Sequence, residues 1–152
     1  MSFYHETYTP FLPVNIVYKC LEHWDNYGRF TRPWLGIATT NLYAAKAVKL
    51  AQILKNFPDI FTGVIVEKVI PESPAASSGI LPGDVIIKCA GNIVRSFLQF
   101  FVIILDNVGK SVEVMVIRQG KTAPFNLTLV VTEITTDQFY SWPLPEECWV
   151  TM

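Results

Sequence analysis

The 152-residue sequence holds little from which reactive chemistry could be built: two histidines, three cysteines, and charged residues at only 16%. His5 and His23 alone cannot make a multi-histidine metal site, and no cysteine or carboxylate spacing supplies the missing ligands. Cys20, Cys89 and Cys148 lie far apart with no C-x-x-C pair, which fits isolated thiols in a reduced compartment rather than a disulfide framework. Cys89, close behind the run Asp84-Val85-Ile86-Ile87, reads as a buried small hydrophobe. With a net charge of −1 and no basic block, nothing suggests a nucleic-acid or anionic-membrane footprint. The longest nearly apolar run, Phe97 to Leu105, includes Gln99 and falls well short of the about 20 residues a membrane-spanning helix needs. The opening Met-Ser-Phe-Tyr-His-Glu has neither the basic start of a secretory signal nor an Arg-rich import leader, so neither is expected, and the compartment stays open.

Catalytic constellations are equally scarce. There is no Gly-x-Ser-x-Gly and no Gly-Asn-Ser-Gly-Gly, and phosphate loops and dinucleotide fingerprints are absent, so no cofactor is implied. His23 falls in a predicted helix beside Trp24, and His5 in the terminal segment. Cys20 and His23, at i and i+3, do not make an oriented nucleophile–base pair. No Ser/His/Asp triad is visible, and no catalytic residue is assigned.

What the sequence does have is a core: 51% of it is hydrophobic. From Pro13 to Trp24, apolar Val14, Val17, Tyr18, Leu21 and Trp24 recur at helical spacing, with Gly28 suited to a position just past the end. Arg32-Pro33 breaks the chain, and Trp34 to Thr40 reads as a strand entered through a glycine-containing bend. Asn41 is expected to cap a helix over residues 43–56, with Ala47, Leu50, Ala51 and Leu54 on one side and lysines opposite. Strands follow at 63–70, 85–87 (after a tight turn at Leu81-Pro82-Gly83-Asp84), 92–94, 112–117 and 125–132. Ser73-Pro74 to Gly79 is a miniature helix with its capping serine, first-turn proline and terminal glycine in place, and Ser96 caps a helix through Leu105. In the last strand Phe125, Leu127, Leu129 and Val131 face one way. Past Glu133 the composition turns to Thr, Asp, Pro and Glu, an irregular tail over 134–152. The sum is an α+β domain, a partly open five- to six-stranded barrel or sandwich capped by two helices.

Three segments suggest a binding device. Gly36 within Trp34-Leu35-Gly36-Ile37 lets successive backbone N–H groups turn into one concavity suited to an anion such as a carboxylate. The strand that follows has an edge able to accept an extended peptide. The helix from Phe97 is apolar on two faces: Phe100 and Ile103 are expected to serve the core, while Phe97, Phe101 and Ile104 make a second face.

These motifs resemble a known family. Trp34-Leu35-Gly36-Ile37, Gly63-Val64-Ile65-Val66, Pro71-Glu72-Ser73-Pro74-Ala75, Gly83-Asp84-Val85-Ile86 and Val114 to Lys121 are similar to the PDZ domain of HtrA (Do-like, Deg-type) serine proteases, in the permuted order with the carboxylate-loop strand first. The resemblance covers residues 32–133. The lysine-rich helix and Phe57-Pro58-Asp59 are more like its eukaryotic, plant-type members, and residues 1–31 resemble the end of the protease barrel and its linker. It implies binding of hydrophobic C-termini of substrates or regulators. Backbone amides of Leu35, Gly36 and Ile37, next to Trp34, would hold the carboxylate. Ile37 and Thr39 would lie on the peptide-pairing strand, and Phe97, Phe101 and Ile104 would line the groove. With most of the protease domain missing, the family's trimerisation and activation are not implied. The alternatives are a regulatory subunit docking onto a full-length HtrA-type protease and, third, a serine endopeptidase in its own right. Family members occupy mitochondria, plastids, nuclei and bacterial envelopes. The terminal Trp149-Val150-Thr151-Met152 has the apolar–x–apolar form such a groove would accept.

Overall fold

The computed structural model describes residues 13–29 and 31–134. His5, Cys148 and the expected tail lie outside those residues. The chain divides into two units, Met1–Phe30 and Thr31–Met152. In the first, α1 (Val14–Tyr27) follows Pro13 and ends where Gly28, at φ 67°, returns its N–H to the Trp24 carbonyl at 2.7 Å. Val14, Tyr18, Leu21, Trp24 and Tyr27 are exposed along it. No helix of the described residues is long and apolar enough to cross a membrane.

The second unit is an antiparallel sheet with a helix on each face. Its strands are β1 (Pro33–Trp34), β2 (Ile37–Asn41), β3 (Val64–Val69), β4 (Val85–Cys89), β5 (Asn92–Ile93), β6 (Ser111–Ile117), β7 (Phe125–Val130) and β8 (Thr132–Glu133). The main sheet runs β2-β3-β4-β6-β7 with β5 paired to β4, while β1 and β8 form a separate two-stranded ribbon. Helix α2 (Ala47–Asn56) follows a single 3-10 turn, α3 (Pro74–Ser78) links β3 to β4, and α4 (Phe97–Leu105) links β5 to β6.

Period-two alternation divides the apolar residues between the two faces. Val64, Val66, Ile86, Val114, Val116 and Leu129 meet Phe100 and Ile104 of α4 in the larger cluster. Ile65, Val85 and Ile117 meet Leu42, Phe57, Leu50 and Ile53 in the smaller one, under α2. The helix expected at 43–56 therefore starts late, at Ala47. Its inward side is Leu50, Ile53 and Leu54, with Ala47 and Ala51 exposed. Asn41 makes no side-chain cap to the turn after it. The two serine caps form as expected: Ser73 Oγ accepts from Ala76 N at 3.2 Å, and Ser96 Oγ from Gln99 N at 3.3 Å.

Candidate functional site

The strand expected from Trp34 to Thr40 is interrupted at Leu35 and Gly36, and the interruption makes the site. The Leu35 carbonyl accepts from Ala75 N at 3.0 Å, and the Gly36 carbonyl from Ile70 N at 2.8 Å. In a trans peptide the following N–H points opposite to the carbonyl. With both carbonyls drawn back toward α3 and the end of β3, the Gly36 and Ile37 N–H groups face the other way. Among the described residues neither Leu35 nor Gly36 donates its N–H to another backbone carbonyl. Buried donors of this kind are normally paired, so a concavity of free N–H groups is an anion-binding feature.

The fold forces glycine at this point. Gly36 sits at φ +74°, and a Cβ there would lie 2.1 Å from Ser73 Cβ and 2.6 Å from Ser73 Oγ. Ser73 is buried by its capping role in α3, so the close approach follows from the same residue that starts that helix.

β2 continues from this loop as an edge strand. Ile37 pairs with Val69, and the bond from Ile70 N to Gly36 O flanks that pair, so Ile37 is in a non-hydrogen-bonded position with its own N–H and C=O directed outward. At the far end, Leu42 N donates to Gly63 O at 2.9 Å beside the Asn41–Val64 pair, which places Asn41 the same way. Thr39, two residues from each, shares this outward orientation. The irregularity at Ala38/Thr39 is taken up on β3, where Glu67 is the extra residue, so β2 keeps its alternation.

α4 runs alongside that edge. The Asn41 carboxamide Oδ1 accepts from Phe97 N at 2.6 Å, fixing the helix start to the strand end. Gln99 Oε1 accepts from Arg95 N at 3.0 Å, completing a cap with Ser96. Phe97 and Phe101 are half-buried and stacked, with ring centroids 6.5 Å apart. Ile37 and Ile104 are each 0% exposed. The expected division of α4 is thus corrected: Ile104 joins Phe100 and Leu105 in the buried stripe, whereas Ile103 is only half-buried. Trp34 is half-buried, and its carbonyl accepts from Thr132 Oγ1 at 3.0 Å, tying the loop's entry to β8. Leu35, Ile37 and Ile104 are buried in one cluster, against which Phe97 and Phe101 pack, and Gly36 and Thr39 are buried in the same stretch of chain. Asn41 was missed as a part of the site. Its bond spans 56 residues, and no local signal could have shown it.

A cavity of about 130 Å³ under α2 is bordered by Lys49 and Arg118, but Lys49 pairs with Glu67 and Arg118 with Asp84. Cys89 is fully buried, and burial pushes its thiol up to about 12, which leaves it inert as a nucleophile.

A family model described as a PDZ domain matches residues 33–129. This chain belongs to the PDZ-domain family. It is 36% identical over 110 residues to the Arabidopsis thaliana protein named Do-like 14, covering 72% of this chain and 24% of that protein. It is 32% identical over 125 residues to a serine protease HtrA-like protein of Staphylococcus aureus, covering 78% of this chain and 16% of the relative. Among solved structures, the HtrA3 PDZ domain bound to a phage-derived ligand, FGRWV, matches with a TM-score of 0.57 at 19% identity, over 74% of this chain and 96% of that one. The HtrA-type protease AlgW with a tripeptide gives a TM-score of 0.61 at 22% identity, over 82% of this chain and 39% of that one. These structural likenesses concern the fold. The PDZ domain here is of the HtrA and Do-like type, and the chain spans a quarter or less of those curated proteases, with no catalytic domain evident in it.

Proposed function

We propose that the PDZ domain captures the free C-terminal end of another polypeptide by adding it as a strand to β2, and that this chain binds without cleaving. The observation that carries the reading is the set of outward N–H groups at Gly36 and Ile37, at the head of an edge strand whose far end holds the start of α4. A carboxylate satisfies those donors, main-chain bonds to Ile37 and Thr39 give sequence-tolerant affinity, and side-chain pockets set preference. Phe97, at the start of α4, offers an apolar surface to the ligand residue two before the end, so an apolar residue is preferred there over Ser or Thr. Titrating free-acid peptides and their C-terminal amides tests both points. We expect amidation to weaken binding at least tenfold, and Ser or Thr at the third-last place to weaken it severalfold. Equal binding of the amides would refute the capture mechanism; equal or tighter binding of Ser or Thr would refute the preference.

A second reading concerns residues 1–31 as the trailing part of a protease domain, with α1 docking onto a full-length HtrA-type protease. It is favoured by the exposed apolar residues of α1, among them Leu21 at 54% and Trp24 at 56% exposure. Co-purification with such a protease, lost on changing Val17 and Leu21 to Asp, would support it; association unaffected by those changes would dismiss it.

A further inference from the structure

The far end of β2 presents a polar group at the surface. Tyr43, in the turn after β2, is 70% exposed, and its hydroxyl oxygen accepts from Asn41 Nδ2 at 2.9 Å. The same carboxamide is fixed on its other side, where Oδ1 accepts from Phe97 N at 2.6 Å. A phenol has a single proton, so a hydroxyl that accepts from Asn41 turns its own O–H away from that carboxamide. Among the described residues nothing accepts this proton. Tyr43 thus stands as an oriented donor open to solvent. The segments that Asn41 joins are cationic. Residues 36–58 and 85–105, which hold β2, α2 and α4, include Lys46, Lys49, Lys55, Lys88 and Arg95 and no acid. Glu67 of β3 is taken up by Lys49. An oriented donor in such a field suits a carboxylate.

Backbone geometry restricts which carboxylate that is. β2 leads away from the Gly36 loop and ends at Asn41, so a chain end held by the Gly36 and Ile37 N–H groups runs antiparallel along it. Its last residue lies beside Ile37, its third-last beside Thr39 and its fifth-last beside Asn41, where the strand stops. Directly opposed residues of an antiparallel pair put their side chains on one face, with Cβ atoms about 5 Å apart. The fifth-last side chain therefore shares the face of the Asn41 carboxamide and comes within reach of the Tyr43 hydroxyl bonded to it. We propose that Tyr43 selects an acidic side chain, glutamate or aspartate, at the fifth-last place of the captured chain, its O–H donating to that carboxylate; this rests on the chain-end reading above. A ligand can reach the position without any rearrangement of the core, since Tyr43 is exposed where Leu35, Ile37 and Ile104 are not.

The test is calorimetric titration of two free-acid decapeptides that differ only in Glu or Ala at the fifth-last place, together with their C-terminal amides, against the chain and its Tyr43→Phe variant, which keeps the ring and loses the hydroxyl. The expected result is about fivefold tighter binding of the Glu-bearing peptide by the unaltered chain. Tyr43→Phe levels that ratio. Both peptides meet the same sample, so the ratio does not depend on how much of the variant is folded. Binding that needs the free terminal carboxylate but in which Ala is equal or better, or a Glu preference that survives Tyr43→Phe, overturns this proposal alone. Binding indifferent to amidation, or no binding of either peptide, overturns the chain-end reading and this proposal with it.

Discussion

Gly36 connects sequence to chemistry through a single missing carbon. A side chain there would collide with Ser73 while also placing a non-glycine residue at φ +74°. Gly36→Ala is expected to cost about 2 kcal/mol or more in urea unfolding and to weaken peptide binding at least tenfold in calorimetry. Adding Ser73→Gly should restore part of the stability, because the two residues share one contact. Unchanged unfolding in Gly36→Ala would show that the loop relaxes freely. The glycine was legible from the sequence, since its apolar neighbours at Trp34, Leu35 and Ile37 singled out the bend. Its steric partner was not, because Ser73 advertises only its local cap.

Among the elements, α4 decides whether β2 is an edge beside a trough or an edge beside solvent. Its bounds could be read from Ser96 and the apolar run, but its faces could not. In a helix apolar at nearly every position, periodicity does not separate Ile103 from Ile104; burial does, with Ile104 inside the core cluster and Ile103 half-buried against it. Asn41 shows the other limit. The same residue type that caps a following helix instead reaches across space to Phe97, so a local rule gave the wrong partner. Asn41→Ala is expected to lower stability by about 1 kcal/mol and to weaken peptide binding severalfold by freeing the start of α4. Asn41→Asp, which keeps an acceptor, should retain most of the stability. Equal binding by all three forms would argue that α4 is positioned by its core contacts alone.

Across the whole domain, one buried ion pair ties elements that are distant in sequence. Asp84 is fully buried, accepting from Arg118 at 2.7 Å and from Leu81 N at 2.9 Å, while Arg118 also donates to the Gly79 carbonyl behind α3 at 2.7 Å. The hydrogen bond to Asp84 holds the Arg118 guanidinium above its ordinary pKa. The same side chain lies over the Phe125 ring at 5.1 Å. Arg118→Ala leaves the carboxylate uncompensated and is expected to cost about 3 kcal/mol in chemical unfolding. Arg118→Lys recovers only part of it, lacking the planar fork. A loss under 1 kcal/mol for Arg118→Ala would mean that water or rearrangement replaces the pair. The mixed class, the short strands and the capping helices were legible from alternation and cap residues; this network was not, because neither Asp84 nor Arg118 carries a sign of its partner in the local sequence.

The most direct measurement is of the backbone amides themselves. On adding a free-acid peptide to isotopically labelled protein, the largest amide chemical-shift changes should fall on Leu35, Gly36 and Ile37, extend to Thr39, and vanish when the same peptide is amidated. Changes centred on α1 or on the cavity under α2, or a response at Gly36 that persists with the amide, would contradict the account.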